Sequence, residues 1–366
     1  MRQLITVMLM LAAMLPASAQ RIQTVDEKGE PVPYVSVLTT DAQLIGITDF
    51  NGVIDDVKGA DIITVSHVAY KPNLYKVNGK SGRITLIEAD FGLPEVTVTK
   101  KPIVYAQTYY RLYLYEDSLG IIYYRSGLTD NSYDRTKKKL SADTRHTSKA
   151  IKGIVKTLFN MAIGKEIDRN SRLKMQKIEN MIINRNKIIG AKLVQEGPDK
   201  KRIISNKGTT LGYVTDNRET GLRRISYEAT TASRLRLEAE GKTKELAKRK
   251  KNDSEMGDKK VETNYFVYRI DDDGNYSPED MMMQQINISW DKEKDGRTSH
   301  RIFAIEVYNT DRAYVTKDEL KQLKKDNRMN MTYDNIRQFE KTHKIPALLP
   351  AVQKRLNELW RGDSDD

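Results

Sequence analysis

Short stretches of alternating apolar and polar residues fill the front of the chain, between about residue 20 and residue 99. An alternation with a period of two is typical of a strand that has one buried face. Turn-forming residues separate the stretches, which predict strands at 34–39, 44–48, 53–57, 61–69 and 83–87. About six or seven strands in so short a segment predict a small antiparallel β-sandwich over residues 20–99.

A tight turn is predicted where Thr48 and Asp49 precede Asn51 and Gly52, between two apolar stretches. Asparagine and glycine adopt positive φ at low cost, so the chain can reverse direction there. Asp49 and Asn51 carry oxygen atoms that suit calcium, but hydrogen bonds to their own backbone are the simpler interpretation. We therefore interpret these four residues as a structural turn.

Two long strands rich in tyrosine are predicted over residues 103–133, with a reversal at 118–120. Tyrosine outnumbers phenylalanine in the chain by 19 to 6, and its ring can be buried while its hydroxyl finds a polar partner. Stacking within a sheet is the simpler interpretation of these rings. An aromatic platform for sugars is the functional alternative.

A helical period replaces the alternation over residues 141–186. Apolar residues recur at intervals of three and four from Ile151 to Ala162, which predicts a first amphipathic helix. A second helix is predicted from about residue 166 to residue 184. The residues predicted to face inward on the second helix are Met175, Ile178 and Ile182.

The β pattern then returns, and helices close the chain. Residues 234–260 are highly charged with few apolar anchors, which predicts an exposed helix that runs into a mobile insert. Thr316 and Glu319 have the spacing of a capping box at the start of a C-terminal helix. We therefore predict that residues 100–366 form an α+β domain with a curved antiparallel sheet and packed helices. Its further strands are predicted at 187–195, 202–205, 210–215, 222–229, 264–270, 285–290 and 300–308.

Residues 1–19 have the order of a signal peptide. Arg2 precedes an apolar run at 4–15, and Ala17-Ser18-Ala19 supplies the small residues that favour cleavage after Ala19. The apolar run has about 12 residues, whereas roughly 20 are needed to span a bilayer. No later segment approaches that length, so we expect an exported protein with no transmembrane segment after signal cleavage.

Composition excludes several kinds of chemistry. The chain has no cysteine, which excludes disulfides, thiolate metal sites and cysteine nucleophiles. It has 4 histidines, and none is followed by glutamate at the spacing of zinc peptidases. Neither a glycine-rich phosphate loop nor a serine nucleophile elbow is present. We therefore predict no catalytic residues, no metal and no cofactor.

Positive charge is concentrated in one part of the chain. The net charge is +12, and residues 134–187 hold 15 Lys and Arg against 5 Asp and Glu. In an exported protein this favours lipid phosphates or an acidic partner over nucleic acid. A solvated helix face is the simpler interpretation, and a docking surface for anionic lipid head groups or an acidic envelope protein is the functional alternative. The candidate docking residues are Arg145, Lys149, Lys152, Lys156, Arg169, Arg172 and Lys174.

Four segments near the front occur in the order of a known module: GEPVPYVSV (29–37), GITDFNG (46–52), DIITVSHVAY (61–70) and RITLIEADFGLPEVTV (83–98). Together they resemble the carboxypeptidase-like regulatory domain, a transthyretin-like β-sandwich, over less than a quarter of the chain. Ala69 departs from the pattern, since such domains usually carry glycine before the tyrosine. The module is an accessory fold common at the front of outer-membrane receptors of Gram-negative bacteria. The resemblance therefore implies no peptidase activity, and a place in the periplasm or at the periphery of the outer membrane.

These observations predict an exported cell-envelope protein with a non-catalytic binding or scaffolding role at the outer membrane. One alternative is a periplasmic lipid or lipoprotein carrier with a half-barrel cavity, which requires a continuous apolar cavity of several hundred Å³. A second alternative is a glycan-acting hydrolase, which requires two carboxylates roughly 5–10 Å apart in a cleft. Carboxylates from distant strands can meet in the fold, so the sequence leaves the hydrolase open. It also leaves the carrier open, because it does not show whether the domain has a cavity.

Overall fold

The computed structural model describes residues 20–57, 59–78, 81–92, 99–117, 119–147, 150–151, 167–242, 261–294 and 296–362. The predicted signal peptide, most of the predicted first helix and most of the charged insert lie outside those residues. Within them, no helix combines the length and the apolar character that crossing a membrane requires. The described part of the chain is mostly β-structure.

Seven short strands form the front region, which we define as the described residues between 20 and 92. The strands are Ile22–Val25 (β1), Ser36–Thr39 (β2), Leu44–Ile47 (β3), Val53–Ile54 (β4), Ile62–His67 (β5), Tyr70–Lys76 (β6) and Gly82–Thr85 (β7). They make two sheets, in the orders β4-β1-β7 and β3-β2-β5-β6. All pairs are antiparallel except β1 with β7, which is parallel. The front region is therefore sandwich-like, and that one parallel pair differs from the purely antiparallel prediction.

One open antiparallel sheet of eleven strands follows, and we call it the large sheet. Its strands are Ile103–Glu116 (β8), Gly120–Asp134 (β9), Lys139–His146 (β10), Ala150–Ile151 (β11), Lys192–Gly197 (β12), Lys200–Ile204 (β13), Thr210–Asn217 (β14), Leu222–Glu228 (β15), Val261–Arg269 (β16), Met281–Lys294 (β17) and Arg297–Val315 (β18). The order is β10-β9-β8-β18-β17-β16-β15-β14-β13-β12, with β11 also paired to β9. Among the described residues the two end strands do not pair with each other, so the sheet stays open.

Five α-helices lie in the described residues, in addition to a helical stretch at 167–171. The α-helices are Ile178–Arg185 (α1), Ala229–Ala239 (α2), Lys317–Asp326 (α3), Tyr333–Thr342 (α4) and Pro350–Gly362 (α5), and two 3₁₀ turns occur at Lys187–Ile189 and Pro278–Asp280. The predicted capping box starts α3, because the Thr316 hydroxyl accepts from the Glu319 N–H and the Glu319 carboxylate accepts from the Thr316 N–H. The start of α3 was therefore predictable from local sequence.

Strands β8 and β9 are buried along almost their whole length. Successive side chains of a strand point to opposite faces, so continuous burial means that both faces of the sheet are covered. Tyr109 and Tyr113 pack with the front region and the segments near α4 and α5. Tyr110 and Leu112 pack on the other face with residues of α1 and α2. The protein therefore has three layers, with the large sheet in the middle.

The helix predicted from residue 141 is wrong as far as the structure describes that segment. Residues 139–146 form β10, which makes a hairpin with β9, and residues 150–151 form β11 against the same strand. Pairing with β9 satisfies the backbone hydrogen bonds of these residues in a strand, and this tertiary interaction overrides the local preference for a helix. Residues 152–166 lie outside the described part.

The second predicted helix is broken in two. Its helical pieces are 167–171 and α1, and Ser171, at the end of the first piece, is hydrogen-bonded to the large sheet. The Ser171 carbonyl accepts hydrogen bonds from the Thr108 hydroxyl at 2.7 Å and from the Asn131 amide at 3.2 Å. Ile178 and Ile182 face inward as predicted, but Met175 lies in the break and is exposed.

The front region and the large sheet share hydrophobic core rather than meeting at a thin contact. One cluster joins Ile22 and Val65 of the front region to Tyr308 of β18. A second cluster joins Leu38 to Tyr124 of β9 and other buried side chains. Because apolar surface from both regions is removed from water in the same clusters, each region stabilises the other.

Candidate functional site

A cleft of about 530 Å³ lies between the front region and strands β14 to β16. We call it the interface cleft. Phe50 and Tyr70 of the front region line it, and so do Tyr213 of β14 and Tyr265 of β16. Its volume is within the range of roughly 300–1,000 Å³ that is typical of small-molecule sites. Neither region forms this cleft alone.

The predicted turn supports the mouth of the interface cleft. The Asp49 carboxylate accepts hydrogen bonds from the N–H groups of Asn51 and Val53, both at 2.8 Å. Gly52 has a φ of +69°, and a Cβ atom there would lie 2.4 Å from the carbonyl oxygen of Thr24. The residue at this position must therefore be glycine for two reasons, the backbone angle and the lack of space.

Phe50 stands between the turn residues and forms one aromatic wall of the cleft. The Thr48 hydroxyl fixes the chain just before it, by accepting from the Val35 N–H at 2.9 Å. The ring of Phe50 is 5.6 Å from that of Tyr34 and 6.1 Å from that of Tyr213, at 82° to the latter. Edge-to-face packing of this kind is a favoured arrangement of aromatic rings.

The inner end of the cleft combines two tyrosines with an arginine. Tyr70 and Tyr265 share a hydrogen bond between their hydroxyls. The Arg224 guanidinium forms an ion pair with Glu88 of the front region. Alternation along β15 places Arg224 on the cleft side of the sheet, whereas Ile225 is in the core on the opposite side.

His67 lies directly behind this inner end. Its ring is 4.5 Å from that of Tyr265, at 84°, and its Nδ1 accepts from the Ala69 N–H at 3.2 Å. Its Nε2 has no hydrogen-bond partner among the described residues. Burial, and secondarily the charge of Arg224, lower the pKa of His67 from 6.5 to about 3, so the ring is neutral at physiological pH.

Two ion pairs cross the mouth of the cleft. Lys28 pairs with Glu219 at 2.5 Å, and Glu30 pairs with Lys200 at 3.7 Å. The first residue of each pair belongs to the front region and the second to the large sheet or its loops. Asp26 shapes the front-region side, because its carboxylate accepts from the N–H groups of Lys28 and Glu30 at 2.9 Å each. These exposed pairs contribute little to the free energy of unfolding, about 0–1 kcal/mol each.

A second group of ionisable residues is sealed inside the protein. Arg111 contacts the carboxylates of both Glu306 and Glu340, and Glu340 also pairs with Arg337 of its own helix, α4. The Tyr109 hydroxyl donates to Glu340. A small pocket beside Arg111 and Glu306 has a volume of about 20 Å³, close to the size of a single water molecule. These two carboxylates therefore join α4 to the sheet and leave no room for a sugar ring between them.

Arg145, one of the predicted docking residues, is occupied by a buried partner. Its guanidinium donates to the carboxylate of Asp130 at 2.6 Å, and Asp130 also accepts from the Tyr105 hydroxyl at 2.7 Å and the Gln107 amide at 3.0 Å. Asp130 is buried. The charge of Arg145 is therefore compensated within the protein.

The other predicted docking residues fall into two groups. Arg169 and Arg172 are exposed, and the Lys174 ammonium donates to the Arg169 carbonyl at 3.1 Å. Burial, followed by the charge of Arg169, lowers the pKa of Lys174 to about 8. The structure thus brings three of the seven together in one segment. The remaining three, Lys149, Lys152 and Lys156, lie outside the described residues.

The tyrosines of the first long hairpin do not form a surface platform. Tyr133 is half-buried, and the other seven are buried within the sheet layers: Tyr105, Tyr109, Tyr110, Tyr113, Tyr115, Tyr123 and Tyr124. Phe50 and Tyr213, which sequence reasoning missed, are half-buried and line the interface cleft. One signal was available: Phe50 is a large aromatic side chain in the middle of a predicted turn.

Within the part of the chain that the structure describes, no three His, Asp or Glu side chains are grouped so that they could hold a metal ion. No family model matches the chain, and a comparison with curated proteins finds no match.

Proposed function

We propose that the chain is an exported cell-envelope protein with a non-catalytic binding role, and that the interface cleft is its ligand site. The leader-like N-terminus and the resemblance of the front region to the carboxypeptidase-like regulatory domain support the envelope location. The single observation that carries the binding role is the cleft between two regions that share a core. Small-molecule sites occur preferentially at such junctions.

The composition of the cleft supports binding of a polar molecule. Rings of Phe50 and Tyr213 offer apolar contact, while charged side chains and the Ser226 hydroxyl line the same space. A lipid carrier needs a continuous apolar cavity instead, and charged residues such as Lys28, Asp216 and Arg218 interrupt this one. The carrier is therefore the less supported alternative.

A hydrolase finds less support for a different reason. Its two carboxylates must be free to act on the glycosidic bond. The cleft carboxylates are held in place by cationic partners. Glu30 pairs with Lys200 and Glu219 pairs with Lys28 across the mouth. Both oxygens of Asp216 accept from the Arg223 guanidinium at 2.6 Å. A binding protein requires no such freedom.

The proposal is tested by ligand screening on the mature chain, residues 20–366. Thermal unfolding is measured with a chemically varied panel of neutral saccharides, acidic saccharides, peptides and nucleotides, and hits are measured by calorimetry. The variant Tyr213→Ala removes a cleft wall, and Tyr133→Ala, a half-buried tyrosine of β9, is the matched control. We expect at least one class of ligand to raise the unfolding temperature of the wild type and the control but not of Tyr213→Ala.

Two results would overturn the proposal. The first is that no ligand class binds, or that binding is the same in Tyr213→Ala and in the wild type. The second is chemical conversion of a bound ligand, detected by mass spectrometry of the mixture after incubation, because a binding protein returns its ligand unchanged.

A further inference from the structure

The charges of the interface cleft are compensated before any ligand arrives. Each cationic or anionic side chain that lines it has a partner of opposite charge, except Asp26, whose carboxylate accepts two backbone N–H groups. The pairs are Lys28 with Glu219, Lys200 with Glu30, Arg218 with Asp199, Arg223 with Asp216, and Arg224 with Glu88.

This compensation disfavours a ligand with a net charge. An anionic ligand would compete with Glu88 for Arg224 or with Glu219 for Lys28, and it would leave a carboxylate without its partner. Of these two sites, loss of a partner costs more at Arg224, whose side chain is 11% exposed, than at Lys28, whose side chain is 53% exposed. A neutral ligand can use the remaining donors and acceptors of the pairs without separating them.

The remaining polar capacity suits hydroxyl groups. A carboxylate has about four lone-pair sites and a guanidinium has five N–H donors, so an ion pair does not exhaust either group. A hydroxyl both donates and accepts, and can therefore bridge the two members of a pair such as Arg218 and Asp199, which lie 2.9 Å apart. Several such pairs around one cleft match a ligand with several hydroxyls.

The aromatic residues supply the other half of the recognition. Phe50 and Tyr213 stand at 82° to each other and both line the cleft, so they present two apolar surfaces to the same space. The Lys200 ammonium lies over the Tyr213 ring, 5.2 Å from its centre. A sugar ring has a C–H face that packs on an aromatic ring and a rim of hydroxyls.

From these contacts we infer that the ligand of the interface cleft is a short neutral saccharide. The inference rests on the proposed binding role and adds the chemical class of the ligand. Phe50 and Tyr213 stack against the sugar rings, and the paired side chains at the mouth bind the hydroxyls.

The test is calorimetric titration of the mature chain with neutral oligosaccharides, with an acidic oligosaccharide such as oligogalacturonate, and with short peptides. We expect a neutral saccharide to bind with an affinity that does not change between low and high salt, because no net charge is neutralised. Tyr213→Ala and Phe50→Ala should each lower that affinity about tenfold. Tyr213→Phe should keep most of it, since the ring and not the hydroxyl makes the contact.

Each other outcome has a definite meaning. Binding of an acidic saccharide or a peptide that is lost in Tyr213→Ala and weakened by salt would overturn the saccharide inference while the proposed binding role stands. Binding of a neutral saccharide that is unaffected by Phe50→Ala and Tyr213→Ala would also overturn it, because the sugar would then sit elsewhere. If no ligand binds at all, both proposals fail together.

Discussion

The front region meets the large sheet along one face, and the two halves of that contact differ. Over β8 and β18 it is filled by apolar clusters, and beside it Arg111 joins Glu306 of β18 to Glu340 of α4. Over β14 to β16 it opens into the interface cleft, which exposed ion pairs cross. One half of the interface therefore holds the two regions together, and the other half gives a ligand access. The candidate site lies where the close packing ends.

The largest expected effect breaks the filled half. Arg111→Met should lower the free energy of unfolding by about 3–5 kcal/mol, because two buried carboxylates lose the cation between them. Urea unfolding followed by circular dichroism measures this. The matched control is Lys28→Met in the open half, where loss of an exposed pair should cost no more than about 1 kcal/mol. Equal losses in the two variants would contradict the division between the halves.

The next effect is pH dependence at the boundary between the halves. His67 has a pKa of about 3 in the folded protein and 6.5 when exposed, so between these values the unfolded chain binds a proton that the folded chain excludes. Stability is therefore highest above pH 6.5 and is lost as the pH falls toward 3, by about 1.4 kcal/mol per pH unit from this residue.

The neutral variant His67→Gln isolates this contribution. Urea unfolding of the wild type and the variant is measured across that pH window. The wild type should lose stability with acidification more steeply than the variant does. Parallel curves for the two proteins would mean that His67 is not held neutral behind the cleft.

A smaller effect concerns the turn that carries Phe50. Gly52→Ala should lower the free energy of unfolding by at least about 1–2 kcal/mol, because it adds a strained φ and a contact of 2.4 Å with Thr24. Gly29→Ala is the matched control, since Gly29 also has a positive φ, of +84°, but has nothing within 4 Å of the added Cβ. Thermal unfolding of both variants is measured, and the difference between their losses of stability is the contribution of the close contact with Thr24.

Gly52→Ala should also weaken ligand binding more than Gly29→Ala does. The shifted turn would carry Phe50 away from Tyr213. If the two variants were equally stable and bound ligand equally well, the turn would not set the shape of the open half.

The last expected effect concerns vesicle binding, on the opposite face of the large sheet. Charge reversal of Arg169 and Arg172 should reduce binding to vesicles with anionic lipid by a factor of about 30, because each of the two cations contributes about 1 kcal/mol near a charged surface. Reversal of Lys321 and Lys325 on α3 is the control for net charge. Sedimentation with vesicles measures the difference. If both double variants bound equally, anionic docking at residues 169–174 would be abandoned.

Local sequence predicted much of the secondary structure. The hairpin of β8 and β9, the turn at Asn51 and Gly52 and the capping box at Thr316 all follow from patterns within a few residues. It misled over residues 141–146, which the pattern assigns to the helical segment 141–186 but which form part of β10, paired with β9. A hydrophobic period shows which secondary structure a segment favours on its own, and pairing with a distant strand can override that preference.

The candidate site could not be predicted in this way. Arg224 and Glu88 are 136 positions apart, and Lys28 and Glu219 are 191 apart. Their meeting depends on how the front region lies on the large sheet, which no local pattern contains. Arg145 shows the same limit, because its compensation by Asp130 requires the register of β10 against β9.

The position of β18 has a consequence for the order in which the chain becomes a protein. Residues 301–315 pair with residues 103–116, so the first hairpin of the large sheet is completed by its last strand. During synthesis, β8 and β9 are made early, and one long edge of their hairpin has no partner strand until residues 135–296 have also been made. An unpaired strand edge can pair with another chain and so promotes aggregation. Contacts between residues so distant in sequence also form slowly. A polypeptide that ends before β18 should therefore aggregate during refolding, and the full-length chain should acquire its native sheet only after its final strand has been made.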